Sequence, residues 1–327
     1  MLGFLDFLVL TLSLAVSLAI IVPLTGILIR FRANYNPKGL QLDPEGGAQP
    51  HTGPVIKSYF GMMKRVYQLE GWPGLYKGLM PTLLSTSVVT VLIVVFMDTP
   101  KPRHGTYHAP QTGVLGTLVY STGMMLIALP TCNRHVPVII QSAITTPHKL
   151  PYLNAAKSLR ILLTPTERRR PWIIFLTPGL LAAEVLHIAI VVLALGPLRR
   201  LLLPILPESG SSLPDVSPVR LAIYLVVVLV ATALLTPLEV MATRLAIQRN
   251  HASSEYNSVT QEVEGDAEDT EEFSGVEEDV IGLRSEGDPY LGLADCAKRI
   301  IDEEGWGALY RAWWITLLGT LSSGVAY

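Results

Sequence analysis

The chain has 327 residues, half of them hydrophobic, with 16% charged and a mean hydropathy of +0.40. A soluble globular chain carries about 25% charge; here the deficit sits in apolar runs of spanning length, which excludes an ordinary soluble core and points to a membrane. The net charge of −2 hides segregated charges of both signs, no sustained basic face suits nucleic acid, and Cys132 and Cys296 are too far apart for metal spacing or a disulfide framework.

A membrane-crossing helix needs about 20 mostly apolar residues. The first predicted span is Leu2–Ile29; Asp6 is its one charge before Pro23, and with no basic n-region it reads as a retained helix rather than a cleaved signal. A long basic loop follows, containing an amphipathic segment at Ile56–Leu69. Leu79–Met97 and Gly113–Leu129 are the second and third predicted spans, joined by a short loop. A second long basic loop holds the amphipathic segment Tyr152–Leu163 and Arg168, Arg169 and Arg170. That arginine run reads as a topology signal at a helix end, the alternative being a headgroup site for cardiolipin-type lipid. Trp172–Leu195 and Leu221–Leu245 are the fourth and fifth predicted spans. An acidic stretch at about 250–289 then reads as a solvated, disordered insertion. After it come the amphipathic segment Leu291–Asp302 and the short sixth run, Arg311–Tyr327. Short amphipathic segments of this kind lie in the interface rather than cross. Trp72, Trp172, Trp306, Trp313 and Trp314 cluster where even spans begin, as an interfacial belt would.

The chain also repeats itself. Pro23, Pro130 and Pro237 end the odd spans at intervals of 107 residues. Pro23 and Pro237 are each followed by Leu, and each has an arginine seven residues on, Arg30 and Arg244. Before the second span the sequence reads Glu70-Gly71-Trp72-Pro73-Gly74-Leu75-Tyr76-Lys77; before the sixth it reads Glu304-Gly305-Trp306-Gly307-Ala308-Leu309-Tyr310-Arg311. The middle copy is weaker, keeping Glu167 and Pro178. Two kinds of anchor recurring in order predict three tandem two-helix units, 1–98, 99–197 and 219–327.

Proline at the end of odd helices with an arginine seven on, then Glu-Gly and Leu-Tyr-base before even helices, resembles the mitochondrial carrier family. The resemblance runs from Pro23 to Leu318. It implies an all-α membrane protein of six transmembrane helices around a pseudo-threefold axis, with short interfacial helices in the long loops. It also implies a multi-pass mitochondrial location, inner membrane by family default with the outer membrane as an alternative. The expected activity is movement of a small solute by alternating access, with no catalysis and no cofactor or metal.

In that family the acid two residues after each proline pairs with the base five after the next proline, forming a matrix-side gate. Here the acid positions are Thr25, Cys132 and Glu239, and the base positions are Leu28, His135 and Ala242. No expected pair keeps both charges. Glu239 is left without its expected partner, with Arg30, Arg134 and Arg244 as the bases in reach. The opposite gate keeps Asp98 and Lys101 in the first copy, offers Gly196 and Arg199 in the second, and is not reached in the third. The family's usual basic anchors for substrate are replaced by Ser85, Ala182 and Gly319, so the expected cargo is neutral or zwitterionic. Glu184 and His187 lie three apart on the fourth span and share a face. They read either as a proton- or substrate-binding pair or as partners in an interhelical hydrogen bond. The rival reading is a non-transporting, carrier-derived scaffold acting through protein partners in mitochondrial fusion, morphology or membrane organisation.

Overall fold

The computed structural model describes residues 4–38, 41–42, 48–49, 55–83, 141–146, 177–202, 217–248, 280–284 and 288–325. The described chain is helical apart from one two-residue antiparallel ladder, β1 (Gln41–Leu42) with β2 (Ala48–Gln49), in the first long loop. The predicted third span, most of the second, the segment Tyr152–Leu163 and most of the acidic insertion lie outside the described residues.

Helix α1 (Phe4–Ala33) and helix α5 (Pro218–Ile247) each run for 30 residues, about 45 Å, ample for a hydrocarbon core of about 30 Å. Proline stands inside both, Pro23 and Pro237. Helix α5 also opens on Pro218, where a missing N–H costs nothing. Helix α1 continues past the predicted end at Ile29, because Arg30 and Arg32 are buried against partners and do not stop it.

Helix α2 (Tyr59–Leu75) is capped by Ser58, whose hydroxyl accepts from the Gly61 N–H at 3.0 Å, and it breaks at Gly71. The fourth predicted span appears as α3 (Leu180–Ala189), a π-helical turn (Ile190–Leu195) and α4 (Gly196–Leu202). Its first residues, 172–176, lie outside the described residues, α3 follows Gly179, and the helix carries on beyond Leu195. The π turn bridges to Gly196-Pro197, with the Gly196 N–H bonded to the Val191 carbonyl, an accommodation typical where proline disturbs the ladder. Helix α6 (Leu293–Glu303) fits the predicted amphipathic segment, Cys296 and Ile300 inward. A 3₁₀ turn (Trp306–Tyr310) then leads to α7 (Trp313–Val325).

Among the described residues, three stretches are long and apolar enough to cross a membrane: Ala15–Ala33, Leu180–Arg199 and Pro218–Ile247. Their outward faces carry Val16, Ile20, Leu24, Val185, Leu193, Val226, Leu229 and Val230, all exposed. Such a large apolar surface is expected against lipid and not against water. Inside, one cluster joins Ile27 and Phe31 of α1 to Tyr59, Met62 and Val66 of α2. A second joins Leu238, Met241 and Leu245 of α5 to Leu180, Cys296 and Ile300. A third packs Tyr224, Val228 and Ala231 of α5 beside Leu195 and α7.

Candidate functional site

Proline within a helix leaves the carbonyl four residues back without its usual donor. For Pro23 that carbonyl is Ala19, and for Pro237 it is Ala233. The Tyr76 hydroxyl donates to the Ala19 carbonyl at 3.1 Å, and the Tyr310 hydroxyl donates to the Ala233 carbonyl at 3.3 Å. The tyrosine of each Leu-Tyr motif thus satisfies the acceptor that the proline of the same copy leaves open. In lipid, where no water can substitute, an open carbonyl is expensive.

The arginines seven after those prolines meet the glutamates of the Glu-Gly motifs. Arg30 Nη2 lies 2.5 Å from Glu70 Oε2, and Lys77 Nζ bonds the other oxygen of Glu70. Arg244 bonds both oxygens of Glu304, and Arg311 Nη2 lies 2.8 Å from Glu304 Oε2. The glycine after each glutamate turns the chain at positive φ, 67° at Gly71 and 89° at Gly305, a conformation that glycine adopts without strain. Burial pulls the Lys77 ammonium below its ordinary range, with Glu70 opposing the shift.

The spare donors of both clusters go to a neighbouring helix end. Arg30 Nε donates to the Ile144 carbonyl at 2.8 Å and Lys77 Nζ to the Thr146 carbonyl at 3.0 Å. Arg244 Nε donates to the Arg32 carbonyl at 3.2 Å, and Arg311 Nη1 to the Asn34 carbonyl. The two clusters correspond residue for residue. Their acceptors lie 112 residues apart, five more than the 107 between prolines, so the segment after Pro130 carries five extra residues by this register.

A third polar cluster lies between α1, α3, α5 and α7. Arg32 Nη2 lies 2.7 Å from Glu239 Oε2 and donates to the Thr316 hydroxyl at 2.8 Å. The Thr316 hydroxyl donates to Glu239 Oε2 at 2.6 Å. His187 Nε2 faces the other oxygen, Glu239 Oε1, at 3.5 Å. This corrects the expectation that Glu239 would look to Arg30, Arg134 or Arg244. Arg30 and Arg244 are committed to Glu70 and Glu304, and Arg134 lies outside the described residues. The base is Arg32, four residues beyond the expected Leu28 and therefore one turn along the same face. That spacing was the available sequence signal.

The remaining candidates are placed as follows. Thr25 turns its hydroxyl back to the Ile21 and Val22 carbonyls of its own helix, at 2.8 and 3.2 Å. Leu28 packs on the α1–α2 core and Ala242 on the α5–α6 core. Ala182 and Gly319 are exposed, on α3 and α7, and Glu184 is half-buried on α3. Ser85, Pro130, Cys132 and His135 lie outside the described residues. The interhelical contact drawn between two of the predicted site residues is His187 with Glu239; Arg32 and Thr316 join them, and neither was predicted.

Comparison with known proteins agrees with this architecture. No individual curated protein matches the chain. The family model described as "Mitochondrial carrier protein" matches residues 10–106 and 218–327, well over half of the chain. The chain therefore belongs to the mitochondrial carrier family, whose members are multi-pass proteins of mitochondrial membranes that carry solutes and are not enzymes.

Proposed function

We propose that this chain moves a small neutral or zwitterionic solute across the inner mitochondrial membrane by alternating access, as six spans in three repeats over 1–98, 99–197 and 219–327. The observation that carries the reading is the Arg32–Glu239 ion pair, which ties α1 of the first repeat to α5 of the third beside His187. A part-buried ion pair between two proline-bearing helices is the kind of contact a gate makes and breaks. The repeat reading is supported by the cyclic order of the buried clusters, in which the first copy holds a helix end of the second and the third holds a helix end of the first. A ring of three units is the simplest closure of that order.

Within this reading Glu184 and His187 on α3, with Ser85, Ala182 and Gly319, line the solute path. The lipid bilayer, cardiolipin-type lipid at Arg168–Arg170 included, is its surrounding partner. The deciding experiment is reconstitution of the full chain in liposomes, with counter-flow against a panel of labelled metabolites and nucleotides. Saturable uptake absent from empty liposomes establishes transport. Silence from folded protein across the panel moves the weight to a scaffold role through protein partners.

A further inference from the structure

Residues 280–284, near the end of the predicted acidic insertion, are docked rather than solvated. Val280 and Ile281 are buried in one cluster with Ile27 and Phe31 of α1 and Met62 and Val66 of α2. Ile247 at the end of α5 and Ile315 of α7 pack on the same cluster. The backbone of the segment is held as well. The Tyr35 N–H donates to the Gly282 carbonyl at 2.7 Å, and the Gly282 N–H donates to Asn34 Oδ1 at 2.9 Å. Arg65 Nε of α2 donates to the Val280 carbonyl at 3.2 Å. Arg284 fastens the far end, with Nη2 2.8 Å from Glu303 Oε1 of α6 and its guanidinium 4.8 Å from the centre of the Tyr290 ring.

We propose that residues 280–284 are a latch: a segment of the third copy that docks on the C-terminal end of α1, holds the first and third copies together there, and comes away when α1 and α5 part. The role in a transport cycle rests on the transporter reading.

Its placement carries the argument. Asn34 and Tyr35 lie two and three residues beyond Arg32, so the latch fastens beside the Arg32–Glu239 pair. Asn34 takes the latch with its side chain, while its carbonyl accepts from Arg244 and Arg311 of the third copy. The cluster around Ile281 draws on α1, α5 and α7, so α1 and α5 cannot separate at this end without unseating it. The expected gate charges are replaced at Thr25, Leu28 and Ala242. Buried apolar surface and backbone bonds of the latch supply closing contact where those charges are lost.

The segment is also built to release. It forms neither helix nor strand, only two of its apolar side chains enter the cluster, and Leu283 is 46% exposed. A short element with few buried contacts opens at lower cost than the core beneath it. Cys296, fully buried between α5 and α6, belongs to that core and reports when it opens.

The test is site-resolved maleimide labelling of the full-length, detergent-solubilised protein at pH 8, read by peptide mass spectrometry. Ile281→Cys and Leu283→Cys are made separately in a Cys132→Ser background, with Cys296 as the standard within each molecule. A docked latch that opens alone labels at position 281 roughly tenfold or more slower than at position 283, and roughly tenfold or more faster than Cys296. Labelling at 281 as fast as at 283 means no docking; labelling as slow as Cys296 means a fixed part of the core. Either result overturns the proposal. If Ile281→Cys yields no folded protein, Val280→Cys takes its place with the same criteria. Adding Glu239→Gln, which weakens the α1–α5 contact, should speed labelling at 281 and leave Cys296 slow. A rise at both cysteines, or at neither, overturns the tie to the gate. None of these readouts needs a solute. An intermediate rate at 281 with silent counter-flow leaves the latch standing and sinks the transporter reading; counter-flow with position 281 as slow as Cys296 does the reverse.

Discussion

Glu70→Ala isolates the energetic role of the buried clusters. The substitution removes the one anion shared by Arg30 and Lys77, whose side chains are 2% and 7% exposed. Arg30 keeps its bonds to the Ile144 and Gly74 carbonyls, and Lys77 keeps the Thr146 carbonyl. Neither carbonyl set balances a charge. Removing one partner of a buried ion pair costs about 3–5 kcal/mol, most of it the penalty of leaving the other charge uncompensated. At about 2 °C per kcal/mol for a chain of this size, the melting temperature should fall by about 6–10 °C. Intrinsic tryptophan fluorescence of the solubilised protein during heating reads this directly. Glu70→Ala combined with Arg30→Met should recover part of the loss, because it replaces a stranded guanidinium with an apolar chain of similar reach. Asp302→Ala, at an exposed position of α6, should stay within about 0.5 kcal/mol of wild type. A loss below 2 °C for Glu70→Ala would refute the view that this glutamate holds the first copy together.

Three further outcomes follow from the geometry. Tyr76→Phe and Tyr310→Phe each remove the donor to a carbonyl that a proline leaves open, so each should lower stability by about 1–3 kcal/mol, and a thermal melt matching wild type for both would contradict that role. Glu239→Arg should abolish counter-flow and Arg32→Glu should do the same, whereas the double charge swap should restore at least a tenth of the rate; unimpaired single variants would remove the gate assignment. Cys296, fully buried with its thiol pushed up to about 12, should resist maleimide at pH 8 in a Cys132→Ser background until the protein is unfolded, since the thiol rather than the reactive thiolate then dominates. Fast labelling of the native protein would show that α6 does not stay docked.

Much of the architecture was legible in the residues themselves. Apolar runs around Pro23 and Pro237 had to be spanning helices, because only a helix satisfies its own backbone in lipid. The recurrence of Glu-Gly and Leu-Tyr-base was visible as pattern, and so was the loss of paired charges at Thr25, Leu28, Cys132, His135 and Ala242. The reasons for the recurrence were not visible. That Tyr76 caps Ala19, that Arg30 and Lys77 share Glu70, and that both reach the end of a neighbouring helix are facts of packing between segments far apart in the chain.

The same division holds at the candidate site. Glu239 and His187 stood out in the sequence because ionisable residues inside apolar runs are rare and expensive. Their partnership did not, since spacing along one helix tells which residues share its face but not which face a second helix presents. Arg32 is the sharpest case. It lies one turn past Leu28, beyond the predicted end of the first span, and the crossing of α1 with α5 brings it to Glu239. Periodicity and hydropathy act within a segment and are written in its own residues; charge pairing across helices depends on the relative rotation and register of two segments, which side-chain packing alone sets.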